Sequence, residues 1–320
     1  MSGSALERDH DLDPAKFGDP DVTATGARRA SVTLGRLDTL WFNTGTVCNL
    51  ACAACYIESS PGNDRLAYIT LAEVETYLEE IRRDAWPVRE IGLTGGEPFM
   101  NPEIVAIMES CLRRGFEVLV LTNGMRPMMR FGEALLDLNR RLGRRLTMRL
   151  SLDHHTRTCH ELERGAHSWE PAIDGLRWLS DNGFRVHVAG RTCWQEGEAS
   201  LRAGYAALFA DIGVAVDAGD PAALTLFPEM DERADVPEIT EACWGILGVD
   251  PGTLMCAVSR MVVKRKNAAG PIVLPCTLLP YDPQFELGRS LGEAARTVKL
   301  NHPHCAAFCV LGGGSCGAAG

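Results

Sequence analysis

Three cysteines fall within eight residues, at Cys48, Cys52 and Cys55, with three and then two residues between them. A tight loop can turn all three thiolates toward one face of a metal centre. A structural zinc site wants four protein ligands, and no fourth lies nearby. A 4Fe–4S cluster has four irons, so three cysteines leave one iron open to a small chelating molecule. Five more cysteines, Cys256, Cys276, Cys305, Cys309 and Cys316, crowd the last 65 residues. One fully ligated cluster needs four of these. A zinc site built from four is the competing reading, weakened by the lack of paired two-residue spacings. Cys111, Cys159, Cys193 and Cys243 stand apart, and Cys111 sits in an apolar helical pattern as a small core residue.

Composition narrows what these cysteines do. The 320 residues are 46% hydrophobic and 23% charged, enough for a large core and a small appended module. The net charge of −10 repels phosphate backbones, which makes nucleic acid a poor substrate. The longest basic run, Lys264 to Lys266, reads as a solvated turn. No stretch has the roughly 20 apolar residues of a membrane helix. The first 35 residues are polar and carry no signal-peptide pattern, so they read as a mobile arm of a cytoplasmic protein. In a reducing cytoplasm, cysteine clusters point to metal or catalysis rather than to disulfides.

The elements that must position the cysteines alternate. Apolar runs at 37–43, 88–93, 116–121, 145–152, 184–189 and 222–227 predict six strands. Helical patterns at 70–83, 102–114, 128–142, 169–181 and 199–211 separate five pairs of them, the first opening on a capping box at Thr70 and Glu73. Such βαβ units build a parallel sheet, and six in consecutive order curl into a partial (β/α)6 TIM-type barrel. Ligands bind at the carboxyl ends of parallel strands, and the polar residues fall there. Cys48–Cys55 follows the first strand, and Thr94-Gly95-Gly96-Glu97-Pro98 the second. Asn123-Gly124 follows the third, Ser151 and Asp153 the fourth, and Gly190-Arg191 the fifth. Each of these alone is an ordinary turn or cap. Past residue 230 the pattern changes to a short helix, a β-hairpin over 261–274, a helix over 288–297 and the cysteine- and glycine-rich end.

Taken together, the Cys-x3-Cys-x2-Cys loop and the Gly-Gly-Glu-Pro turn one strand later resemble the radical S-adenosylmethionine (SAM) superfamily over residues 37–228. The chain departs from it at Ala54, where the family often has an aromatic residue; Tyr56, just after the last cysteine, is expected to take that place against the adenine. The resemblance implies that Cys48, Cys52 and Cys55 hold a 4Fe–4S cluster whose open iron chelates SAM. It further implies that Gly95, Gly96 and Glu97 hold the SAM amino group, that Asn123, Ser151 and Asp153 contact ribose or carboxylate, and that Arg191 pairs with the carboxylate. Leu226 to Pro228 would border the adenine. Cys256, the hairpin with Gly270 and Cys276 resemble the opening of the SPASM and twitch modules, with one residue more after the glycine. The five late cysteines are too few for two auxiliary clusters, which implies one.

The expected organisation is an arm (1–35), a radical SAM partial barrel (36–230) and an auxiliary-cluster module (231–320). The expected reaction is reductive cleavage of SAM and hydrogen abstraction from an organic substrate, with electrons from a flavodoxin- or ferredoxin-type donor. No peptide-recognition domain precedes the barrel, which tilts the expectation to a small metabolite lined by Arg191, Trp194, Glu196, His154 and His155. Modification of a peptide side chain is the alternative. A non-catalytic iron–sulfur electron carrier is the reading from another class, and it has no use for an ammonium-binding turn.

Overall fold

A computed structural model describes residues 11–228 and 231–312. Its body is one eight-stranded sheet. Six strands run parallel in chain order: β2 (Thr39–Asn43), β3 (Glu90–Thr94), β4 (Glu117–Thr122), β5 (Leu146–Ser151), β6 (Arg185–Arg191) and β7 (Leu224–Phe227), preceded by the short β1 (Ser31–Val32). Helices α1 (Leu71–Arg83), α2 (Ile104–Arg113), α3 (Arg126–Met129), α4 (Gly132–Leu142), α5 (Arg157–Arg164), α6 (Trp169–Asp181) and α7 (Glu198–Ile212) fill the crossovers. The strands are mostly buried, Leu40, Trp41 and Phe42 wholly so, as expected of a parallel sheet covered by helices. The sheet stays open, and its order is that of the expected partial barrel.

Local chemistry sets several of these elements. Thr70 and Glu73 form the capping box reciprocally: the Glu73 amide donates to Thr70 Oγ1 (3.3 Å) and the Thr70 amide to Glu73 Oε2 (2.9 Å). Gly92 pairs in register with Trp41, and a Cβ at 92 would stand 2.2 Å from the indole, so only glycine admits that ring. The helix expected over 128–142 breaks at Arg130–Phe131 into α3 and α4. The one expected over 288–297 shortens to Leu291–Ala294. Helix α5 has no counterpart in the sequence reading. Only His160 of its eight residues is buried, so it shows no apolar stripe.

The hairpin after residue 255 joins the main sheet. Strand β8 (Ser259–Val263) lies parallel to β2, Thr39 opposite Ser259, and β9 (Ile272–Leu274) turns back antiparallel on it. The backbone beyond β8 goes on pairing with the cysteine loop: the Ala67 amide donates to Lys264 O (2.7 Å) and the Lys266 amide to Arg65 O (2.9 Å). The basic run that the sequence offers as a solvated turn is engaged in ion pairs, Lys264 with Glu73, Arg265 with Glu286 and Lys266 with Asp64.

The segment 11–35 runs along the body. Arg29 is fully buried and donates to Asp19 O and Val22 O (both 2.9 Å) and to Glu238 Oε1 (2.5 Å). A buried guanidinium needs such partners, and they fix the segment. Strand β1 then pairs antiparallel with β10 (Val298–Lys299). Among the described residues, no helix is long and apolar enough to cross a membrane.

Candidate active site

The carboxyl ends of the parallel strands surround one cavity. The cysteine loop forms one wall, with Cys48 buried and Cys52 and Cys55 half-buried. Local bonds shape the loop. The Glu58 amide closes a turn on Cys55 O (2.8 Å), and the Ala53 amide donates to Glu163 O at the end of α5 (2.8 Å). Backbone amides also point at sulfur, Leu50 N at Cys48 Sγ (3.4 Å) and Ser59 N at Cys55 Sγ (3.3 Å). From the C-terminal region, Tyr281 braces the loop by donating to Ile57 O (2.7 Å).

Gly95 and Gly96 form the opposite edge. Gly95 has φ +141°, and a Cβ there would lie 2.5 Å from Gly45 O; one on Gly96 would lie 2.5 Å from Val47 O. The turn is thus pressed against the start of the cysteine loop in a packing that only glycines permit. Glu97 sits behind this wall instead of on it. Its Oε1 accepts from Thr122 Oγ1 (2.8 Å) and from the Phe99 amide (3.2 Å), and its Oε2 from the Asn123 amide (2.8 Å). Burial lifts the Glu97 carboxyl to about 7 against the pull of those donors. Sequence reasoning assigns Glu97 to an ammonium; the structure gives each oxygen a protein donor and makes the side chain a tie between the ends of β3 and β4.

Tyr56, Asn123, Ser151, Asp153 and Arg191 all line the cavity, as do Phe227 and Pro228. Asn123 Nδ2 donates to Asn49 Oδ1 (2.9 Å), locking the third strand end to the cysteine loop. Arg191 Nη1 pairs with Glu163 Oε2 (2.9 Å), while its buried Nη2 has no hydrogen-bond partner. Arg164, absent from the sequence reading, enters from the end of α5. Its guanidinium holds Asp153 by two bonds (2.8 and 3.0 Å) and stands close enough to Cys52 and Cys48 to act on both electrostatically. The residues that sequence reasoning missed, Glu163 and Arg164, share one helix whose polarity hid it.

The three cysteines fit the group that their spacing implies. Burial pushes the Cys48 thiol up to about 12 and raises that of Cys52, which Arg164 partly offsets. Such thiols stay protonated alone and ionise when a metal takes the proton's place. The amides at two sulfurs and the Arg164 cation are what an anionic cluster needs around it.

The second group converges from three elements. Cys256 stands before β8, Cys276 follows β9, and Cys305 opens a π-helical turn, Cys305–Leu311; all three are buried. They are near enough to raise the Cys305 thiol, after burial the next largest influences on it. Cys309 lies one turn on, half-buried, and Cys316 falls outside the described residues. Leu278 and Phe308, two and three residues from Cys276 and Cys305, line the same cavity as the first group, with Phe308 stacked on Phe227 (5.8 Å). His154, His155, Trp194 and Glu196 do not line it; they gather beside α7.

Residues 42–198 match the family model described as the radical SAM superfamily. The chain is 32% identical over 143 residues to AlbA of Bacillus subtilis (strain 168), the antilisterial bacteriocin subtilosin biosynthesis protein. That alignment covers 44% of this chain and 30% of AlbA. Streptococcus suis SuiB bound to S-adenosylmethionine shares the fold with a TM-score of 0.57 at 11% identity, over 79% of this chain and 63% of SuiB. SuiB bound to precursor peptide SuiA matches with a TM-score of 0.56 at 11% identity, over 80% and 63%. The chain therefore spans less than two thirds of the length of these relatives. The family's cofactors are a 4Fe–4S cluster and SAM, in keeping with the cysteine loop and the glycine edge. Residues 42–198 are therefore a radical SAM domain.

Proposed function

We propose that this chain reductively cleaves SAM in the cavity at the strand ends and abstracts hydrogen from a peptide substrate. The observation that carries the reading is that Cys48, Cys52 and Cys55 share one cavity with the Gly95–Gly96 edge. Cys48, Cys52 and Cys55 would hold the cluster, which when bound and reduced supplies the electron that splits SAM into methionine and a 5′-deoxyadenosyl radical. The rest falls to the chain. The glycine edge admits the methionine moiety close to the backbone. Arg191, whose Nη2 has no partner, offers an N–H to its carboxylate, and Arg164 keeps positive charge beside the cysteines. Tyr56, Phe227 and Phe308 give the apolar wall that keeps water from the radical.

For the late cysteines the reading is one auxiliary 4Fe–4S cluster on Cys256, Cys276, Cys305 and either Cys309 or Cys316. A tetrahedral zinc with bonds of about 2.3 Å holds its sulfurs about 3.8 Å apart. Among the described residues, the group of three ligand atoms that lie within 4.8 Å of one another is elsewhere, at His154, His155 and Glu196. The sequence by itself tilts to a small metabolite; kinship with a bacteriocin biosynthesis protein turns the proposal to a peptide.

The test is anaerobic. Protein reconstituted with iron and sulfide, reduced and given SAM should yield 5′-deoxyadenosine. Adding the peptide pool of a cell extract should raise that yield and place SAM-derived changes in a peptide mass. Stimulation by the small-metabolite pool alone would overturn the peptide assignment. Intact clusters without nucleoside under several reductants would overturn the enzyme and leave an electron carrier.

A further inference from the structure

Beside the SAM cavity, but outside it, the loops after β5 and β6 bring together two imidazoles and a carboxylate. His154 is buried, and its Nε2 lies 3.0 Å from Glu196 Oε1. His155 stacks on His154 with ring centroids 4.1 Å apart. One ligand atom from each of His154, His155 and Glu196 lies within 4.8 Å of the other two.

A hydrogen bond between His154 and Glu196 accounts for two of these groups. It leaves His155 unexplained. The His155 ring lies over Gly204 of α7, where a Cβ would come within 2.5–2.6 Å of its Cε1, Nε2 and Cδ2. That edge is therefore against the helix, and Nδ1 is the nitrogen turned away. Nδ1 is buried and has no hydrogen-bond partner, an arrangement that costs free energy unless something else binds there. The missing side chain at Gly204 is what makes room for the ring.

We propose that His154, His155 and Glu196 form a binding site for one divalent transition-metal ion of the zinc class, separate from both cysteine groups. Two imidazole nitrogens and one carboxylate oxygen suit such an ion, and three protein ligands leave a position open for water or a substrate oxygen. The protons balance without an added base. His154 Nδ1 now accepts from the Thr156 amide (3.0 Å), so the ring proton is on Nε2 facing Glu196. When the ion takes Nε2, that proton moves to Nδ1, where Thr156 Oγ1 at 2.8 Å accepts it. The Thr156 amide turns to water, since Thr156 is exposed. Asp153 in the first loop and Arg191 at the end of β6, where the second loop begins, both line the SAM cavity. The ion would clamp these loops together and set an open coordination position at the cavity rim.

The test uses the reconstituted iron–sulfur protein. It is incubated anaerobically with Zn2+, passed over a chelating resin, and analysed for zinc and iron. The parent should retain about one zinc per chain. Glu196→Gln and His155→Ala should weaken zinc binding by more than about tenfold, the loss that even an outer-shell partner causes, with the iron count unchanged. Co2+ in place of Zn2+ should show no sulfur-to-cobalt charge-transfer band. Zinc retained equally by parent and Glu196→Gln, no zinc retained by the parent, or a sulfur-to-cobalt band would each overturn the proposal. Should either variant also lose iron, anomalous scattering at the zinc edge from crystals of the zinc-loaded parent decides: a peak among His154, His155 and Glu196 supports the site, and its absence there sinks it.

Discussion

The two cysteine groups are built in opposite ways: the first lines the cavity, and the second reaches it only through its neighbours Leu278 and Phe308. Cys48, Cys52 and Cys55 sit on one loop after one strand, so their spacing alone brings them together. Cys256, Cys276 and Cys305 come from a turn before β8, the end of β9 and a π-helical turn, and they meet only because β8 docks beside β2. A local site is a property of its segment. An assembled site is a property of the sheet that holds it, so damage far away can unmake it.

The sharpest way to break that comparison is to remove each group in turn. A Cys48/Cys52/Cys55→Ala variant should lose about half its iron and lower SAM cleavage by more than about 1,000-fold. Cys256→Ala together with Cys276→Ala should lose a similar share of iron but keep nucleoside formation. Iron analysis and a 5′-deoxyadenosine assay separate the two. Equal loss of cleavage in both variants would mean that the groups act as one.

Distance is the next probe. Arg29 is buried against Glu238 and lies near enough to Cys305 to act on its thiol. Breaking a buried pair from one side costs about 3–5 kcal/mol, so Arg29→Ala should lower the unfolding free energy by that much. It should also deplete the second cluster ahead of the first, as read by EPR during denaturant titration.

Protonation distinguishes the regions more finely. Burial drives His160, behind the first group, down to about 4, and does the same to His302 and His304 beside the second. A histidine whose folded pKa lies below its unfolded value binds its proton in the unfolded state first. Stability is therefore full above about 6.5 and falls as pH drops toward 4, by up to about 3 kcal/mol for one such group. His160→Leu should flatten that acid limb by one group's share, measured as Tm against pH, and leave the share of His302 and His304.

A cavity-edge change should be milder. Gly96→Ala pushes a methyl toward Val47 O and should cost about 1–3 kcal/mol. Its effect should appear as weaker SAM binding in calorimetry, with the iron count of both groups kept. Smallest of all, Thr70→Ala removes the α1 cap and should cost about 1 kcal/mol without touching either group.

Much of this is legible in the amino-acid sequence. The six strands and their consecutive order follow from apolar runs that alternate with helical stretches, because a strand buried on both faces must be apolar along its length. The cysteine loop, the glycine edge, Asn123, Ser151, Asp153 and Arg191 all reach the cavity, because loops after parallel strands share one end of the sheet. Those are local patterns combined with one topological rule, and a linear reading of the chain contains both.

The rest came from packing. It turned Glu97 inward, because Thr122 Oγ1 and the Asn123 amide at the end of β4 converge on it with the Phe99 amide from the turn after β3. It brought Arg164 to the cysteines from a helix with one buried residue. It set the β8–β9 hairpin on the main sheet and brought Cys256 and Cys276, on either side of it, near Cys305. It also drew His154, His155 and Glu196 out of the cavity and into a group of their own. In each case partners far apart in the chain share a burial cost, and no window of sequence contains both sides of such a pair.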